Sequence, residues 1–132
     1  MRTHFGAPPP ILPARLPADE VLTQYGRKNP GVPTFRDQPR IDRDSGQLSM
    51  IRGRMSVEKA TRLVCDRRPD GRDRVRYTTV GRLEKGGFGV GLSPTIRNPY
   101  HVSVGVPGGA RRWTVEQVQA FVSAFAEEVE AR

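Results

Sequence analysis

Hydrophobic and polar positions alternate along this chain with two different periods, and each change of period marks an element. In YHVSVGV, residues 100–106, Val102, Val104 and Val106 fall on one face and His101, Ser103 and Gly105 on the other. A period of two is the signature of a strand with one buried face. FGVGL, residues 88–92, repeats it: Phe88, Val90 and Leu92 share a face, and Gly89 and Gly91 leave the other open to close packing. RVRYTTV, residues 74–80, sets Arg74, Arg76 and Thr78 against Val75, Tyr77 and Thr79, which predicts a half-buried strand with a basic outer face. QLSMIRG, residues 47–53, places Leu48, Met50 and Arg52 opposite Ser49 and Ile51 and predicts a short strand.

The helical period appears between them. In SVEKATRLVCDRR, residues 56–68, Ser56 is a good N-cap and Glu58 sits in the first turn, where the helix dipole favours acid. Val57, Ala60, Leu63 and Val64 gather on one side, and Pro69, Asp70 and Gly71 end the run. Thr79 caps a short helix, VGRLEK, which Gly86 ends as a left-handed C-cap. Thr114 and Gln117 make a capping box for a long C-terminal helix. Its stripe of Val115, Val118, Val122, Phe125 and Val129, with Phe121 alongside, packs on the sheet or forms a two-chain seam. A further short helix is predicted at ADEVLTQY, residues 18–25, with Asp19 as cap and Val21, Leu22 and Tyr25 on one face.

These elements predict an α+β fold. A small, mostly antiparallel sheet is packed by the long C-terminal helix and the middle helix, in one domain over residues 34–132. Eight of the twelve prolines precede residue 40, so residues 1–33 read as an extended Pro-rich N-terminal arm. Proline breaks the apolar run of residues 1–18 too often for a signal-peptide core, and no segment is long and apolar enough to span a membrane. The expectation is a cytoplasmic protein. Cys65 is the single cysteine, which excludes an internal disulfide and a cysteine-cluster metal site, and its neighbours Leu63 and Val64 suggest a core thiol.

Charge changes the picture more than overall composition. The formal net charge is +8. Residues 114–132 hold four acids and one base, leaving 21 bases against 10 acids on the other 113 residues. Most of the bases are arginine, whose planar fork suits phosphate and carboxylate. An acidic protein or a nucleic acid is the partner this implies; an ordinary solvated basic surface is the alternative. The partner-binding candidates are Arg72, Arg74, Arg76, Arg82, Arg111, Arg112 and Trp113, with Tyr77, Phe88 or Trp113 able to stack on bases. No recognised nucleic-acid-binding signature accompanies them. A homodimer through the C-terminal helix is a further expectation.

KGGFGVG, residues 85–91, resembles the glycine loop of protein kinases over some six residues. Neither the strand lysine nor the catalytic motifs of those enzymes follow, and no Gly-Lys-Ser/Thr completes a phosphate loop. A helix end running into a strand explains the glycines better. His101 is the one histidine of the domain and a candidate general base, beside Tyr100 and Ser103. Asp42 and Asp44 can share a strand face, but Arg40 and Arg43 lie among them and ion pairing explains them equally.

The stretch TFRDQPRIDRDSGQLSMIRGRMSVEKA, with NPYHVSV later, resembles a pattern in small bacterial proteins of unknown function. It rests on Phe35, Arg36, Asp44, Gly46, Leu48, Ser49, Arg52, Gly53, Ser56, Glu58, Ala60 and His101. A looser likeness runs to small toxin effectors with an ADP-ribosyltransferase-like fold. It implies an enzyme acting on NAD or a nucleotide, with Arg36, Ser49, Tyr77 and His101 lining the pocket. No residue here takes the place of that family's catalytic glutamate. The first expectation is therefore a noncatalytic binding protein with no cofactor and no metal, and the toxin-like enzyme, with NAD as its cofactor, is the alternative.

Overall fold

The computed structural model describes residues 16–26, 41–42, 45–64, 74–125 and 129–131. Six strands and three α-helices are formed among them: strands β1 (Val21–Gly26), β2 (Leu48–Arg52), β3 (Arg74–Thr79), β4 (Gly89–Leu92), β5 (His101–Gly105) and β6 (Val129–Ala131), and helices α1 (Val57–Leu63), α2 (Val80–Lys85) and α3 (Val115–Ser123), with a single 3-10 turn at Pro107–Gly109. All strands pair antiparallel in one six-stranded sheet of order β4-β5-β2-β1-β3-β6. The class is α+β.

The period-two alternation sorts side chains onto the two sheet faces. On one face Leu22, Leu48, Met50, Val90, Val102 and Val104 meet α2 and α3 through Val80, Leu83, Phe121 and Ala124. On the other, Ile51, Val75 and Tyr77 meet α1 through Val57 and Ala60. The caps form as the sequence predicts. Ser56, Thr79 and Thr114 each accept a hydrogen bond from the third backbone N–H beyond them, and Thr114–Gln117 closes a capping box.

Four expectations are corrected. Residues 18–25 are not a helix in an arm: Val21–Gly26 is a strand flanked by β2 and β3, with its full length paired to β3. Its alternation of Val21, Thr23 and Tyr25 against Leu22 and Gln24 is the period that prevails. The C-terminal helix stops at Ser123, and Val129 belongs to a strand. Phe121 is fully buried while Val115 is 69% exposed, so the aromatic side chain, with the larger apolar surface, sets the helix rotation rather than the valine stripe.

The third correction concerns β3, whose arginine face is covered. Arg74 and Arg76 are each only 6% exposed. Arg76 Nε donates to Gln24 Oε1 at 2.7 Å, and its guanidinium stacks 4.1 Å from the Phe125 ring centre. Thr78 Oγ1 donates to the Ala124 carbonyl, fixing the end of α3 on this face. Lastly, Gly86 is right-handed (φ −80°), and Gly87 (φ +97°) is the left-handed residue that turns the chain out of α2.

Candidate functional site

The polar cluster on β2, β4 and β5 begins with register. Ser49 lies opposite Ser103 and Ile51 opposite His101, so Ser49 and His101 are diagonal neighbours on the face that also carries Ile51. The β4–β5 hairpin brings Ser93 alongside His101, and the Ser93 N–H donates to the His101 carbonyl at 3.0 Å. Ser49 is exposed between two buried neighbours, Leu48 and Met50, whereas Ser103 is buried.

Four short contacts connect these side chains. Ser49 Oγ lies 2.9 Å from His101 Nε2. His101 Nδ1 lies 3.0 Å from the Ser93 carbonyl oxygen and 2.7 Å from Ser93 Oγ. Ser93 Oγ lies 2.7 Å from Ser103 Oγ. A carbonyl oxygen only accepts, so the neutral imidazole carries its proton on Nδ1. Nε2 is then a lone pair, and the Ser49 hydroxyl donates to it. Burial holds the His101 pKa below its ordinary value by penalising the charged form, and the bond to the Ser93 carbonyl offsets part of this. The arrangement is a hydroxyl donating to a neutral imidazole whose second nitrogen is fixed by the backbone. Nucleophile–base pairs in acyl transfer have this logic, with an acceptor orienting the base.

The sequence-predicted site residues divide. Ser49 and His101 meet. Tyr77 does not join them: it sits three strand positions from β5, about 14 Å at ordinary strand spacing, and is buried under α1 with its hydroxyl donating to the Met55 carbonyl at 2.9 Å. Arg36 lies outside the described residues, as do Arg72, Cys65 and Asp44. Asp42 accepts from the Ser45 N–H at 3.0 Å in the turn that leads into β2.

Of the arginine set, Arg82, Arg111 and Arg112 are exposed and form no ion pair among the described residues. Arg74 and Arg76 are interior, so they do not belong to an outer binding face. Trp113 is half-buried: its ring centre stands 5.1 Å from that of Phe88 and 5.6 Å from that of Phe121, and its indole N–H donates to the Gly46 carbonyl at 2.8 Å. Tyr77 and Phe88 are buried too, so neither offers a face for stacking.

Sequence reading missed Ser93, which lies just past the strand predicted at residues 88–92. The available signal was hairpin register, since pairing Gly91 with Ser103 carries Ser93 to His101. Among the described residues no group of three or more His, Cys, Asp or Glu side chains comes together to hold a metal ion, and no helix is long and apolar enough to cross a membrane. No family model, curated protein or solved structure matches the chain.

Proposed function

We propose that this protein is a small enzyme that transfers acyl groups from esters to water, with Ser49 as nucleophile and His101 as base. The observation that carries this is the 2.9 Å contact between an exposed hydroxyl and an imidazole nitrogen left free to accept. Ser49 Oγ attacks the ester carbonyl carbon while its proton moves to Nε2. The carbon–oxygen bond to the leaving alcohol then breaks, and Nε2–H returns the proton to that oxygen. Water attacks the acyl-Ser49 ester by the same route in reverse, and the carboxylic acid leaves. The Ser93 carbonyl stabilises the imidazolium through Nδ1–H. This reading favours an ester over NAD, because the nicotinamide pocket would need Tyr77 at the same place.

Hydrolysis of p-nitrophenyl acetate and labelling by a fluorophosphonate test it. Ser49→Ala and His101→Ala should each lower kcat/KM by about 10²- to 10⁴-fold and remove labelling, with the thermal midpoint used to show that the variants are folded. Undiminished labelling of folded Ser49→Ala overturns the reading.

A second reading is noncatalytic binding of an anionic partner, an acidic protein or nucleic acid, through Arg82, Arg111 and Arg112. Their exposure, with no ion pair among the described residues, and the net charge of +8 favour it. Anisotropy of labelled single-stranded and duplex nucleic acid across a salt series reports the number of phosphate contacts through its slope. Absence of binding at low salt to these and to an acidic protein would end this reading.

A further inference from the structure

We infer that the loop between Ser93 and His101 recognises an apolar acyl chain, so that the ester taken by the Ser49–His101 pair is one of a hydrophobic carboxylic acid. This rests on the reading of Ser49 and His101 as nucleophile and base. Among the described residues three large hydrophobic side chains are exposed, and two of them, Ile96 and Tyr100, stand on this loop; the third, Val115, is on α3. Ile96 is fully exposed and contributes nothing to the core. It is three residues from Ser93, hence within about 11 Å along the chain, and Tyr100 is the immediate neighbour of His101.

The loop presents these side chains from a fixed frame. Thr95 N–H donates to the Asn98 carbonyl at 3.0 Å, and Asn98 N–H donates to Thr95 Oγ1 at 2.9 Å. Asn98 is 5% exposed, and its side-chain oxygen accepts from the Tyr100 N–H at 3.0 Å. His101 N–H donates to the Asn98 carbonyl at 3.2 Å, closing the loop onto the site. A loop held at this many points loses little conformational freedom when an apolar chain lies against it, which is the condition under which apolar contact converts into affinity. Lys59 Nζ, 5.8 Å from the Tyr100 ring centre, shields one side of that ring.

The experiment uses p-nitrophenyl acetate, butyrate and hexanoate with the full chain. Complete burial would give about fourfold in kcat/KM for each methylene. A loop open to water on one side recovers part of this, and the hexanoate-to-acetate ratio should be on the order of tenfold. Ile96→Ser should bring that ratio to about two or below, and Ile96→Leu should restore it. A flat chain-length series in the wild type, or an unchanged ratio in Ile96→Ser, overturns the inference while Ser49-dependent acetate hydrolysis keeps the enzyme reading. Absence of Ser49-dependent hydrolysis of every ester overturns both.

Discussion

Gly46 offers the sharpest test of how the chain is led into the site. It precedes β2 by two residues and Ser49 by three, and it sits at φ +69°. A Cβ added there would lie 2.2 Å from the Ala110 carbonyl oxygen and 2.6 Å from Arg111 Cα, both backbone atoms that cannot rotate away. Gly46→Ala must therefore separate the turn before β2 from the segment before α3. Three contributions combine. The left-handed conformation costs about 1 kcal/mol for a residue with a Cβ. Relieving the overlap by backbone shifts costs about 1–3 kcal/mol. Displacing the Gly46 carbonyl from the Trp113 N–H loses about 1 kcal/mol more. The expected destabilisation is about 3–5 kcal/mol, read by urea denaturation at equilibrium. Gly87→Ala is the control: its φ is +97°, but nothing lies within 4 Å of an added Cβ, so only the conformational cost of about 1 kcal/mol applies. If Gly46→Ala were no more destabilising than Gly87→Ala, the close approach of these two segments would be refuted.

Two further outcomes follow from the same structure. Phe121 is fully buried, with ring centres of Phe88, Trp113 and Phe125 at 5.7, 5.6 and 5.0 Å, so Phe121→Ala should cost about 3–5 kcal/mol by denaturant unfolding, and a loss below 1 kcal/mol would show that this ring is not the centre of the α3 packing. The His101 pKa is depressed below its ordinary 6.5, so between pH 6.5 and the folded-state value the unfolded chain binds more protons; the stabilising contribution is present above pH 6.5 and is lost as pH falls through the folded value. His101→Gln should flatten the thermal midpoint over that acid range relative to wild type, and a midpoint that rises on acidification in the wild type alone would contradict the assigned direction.

What could be read from the sequence was local. Caps at Ser56, Thr79 and Thr114, and the alternation in β4 and β5, are set by residues within a few positions of one another. β1 escaped because VLTQYG satisfies both periods over six residues, and pairing with two strands decided between them. The end of α3 escaped for a related reason. Ala124, Phe125, Ala126, Glu127 and Glu128 carry no stop signal, and contacts such as Thr78 with the Ala124 carbonyl lie 46 residues away in sequence. Arg74 and Arg76 show the limit of alternation itself. It states which side chains share a face, but not which face another element covers. Ser49 and His101 were each legible as candidates, yet their meeting across 52 residues depends on the β2–β5 register.

That register is held by the opposite face of the sheet. Leu48 and Met50 pair with Val104 and Val102, and all four are buried in the core under α2 and α3. A slip of β5 by one residue would turn Val102 and Val104 to the other face and bring His101 and Ser103 into the apolar layer. Burying these two polar side chains and losing two core valines makes that alternative far less stable. The core therefore selects the one alignment in which Ser49 stands diagonal to His101. Volume-conserving substitutions at Met50 or Val102 should leave the Ser49–His101 contact in place, because the site depends on which face these residues occupy rather than on their detailed shape.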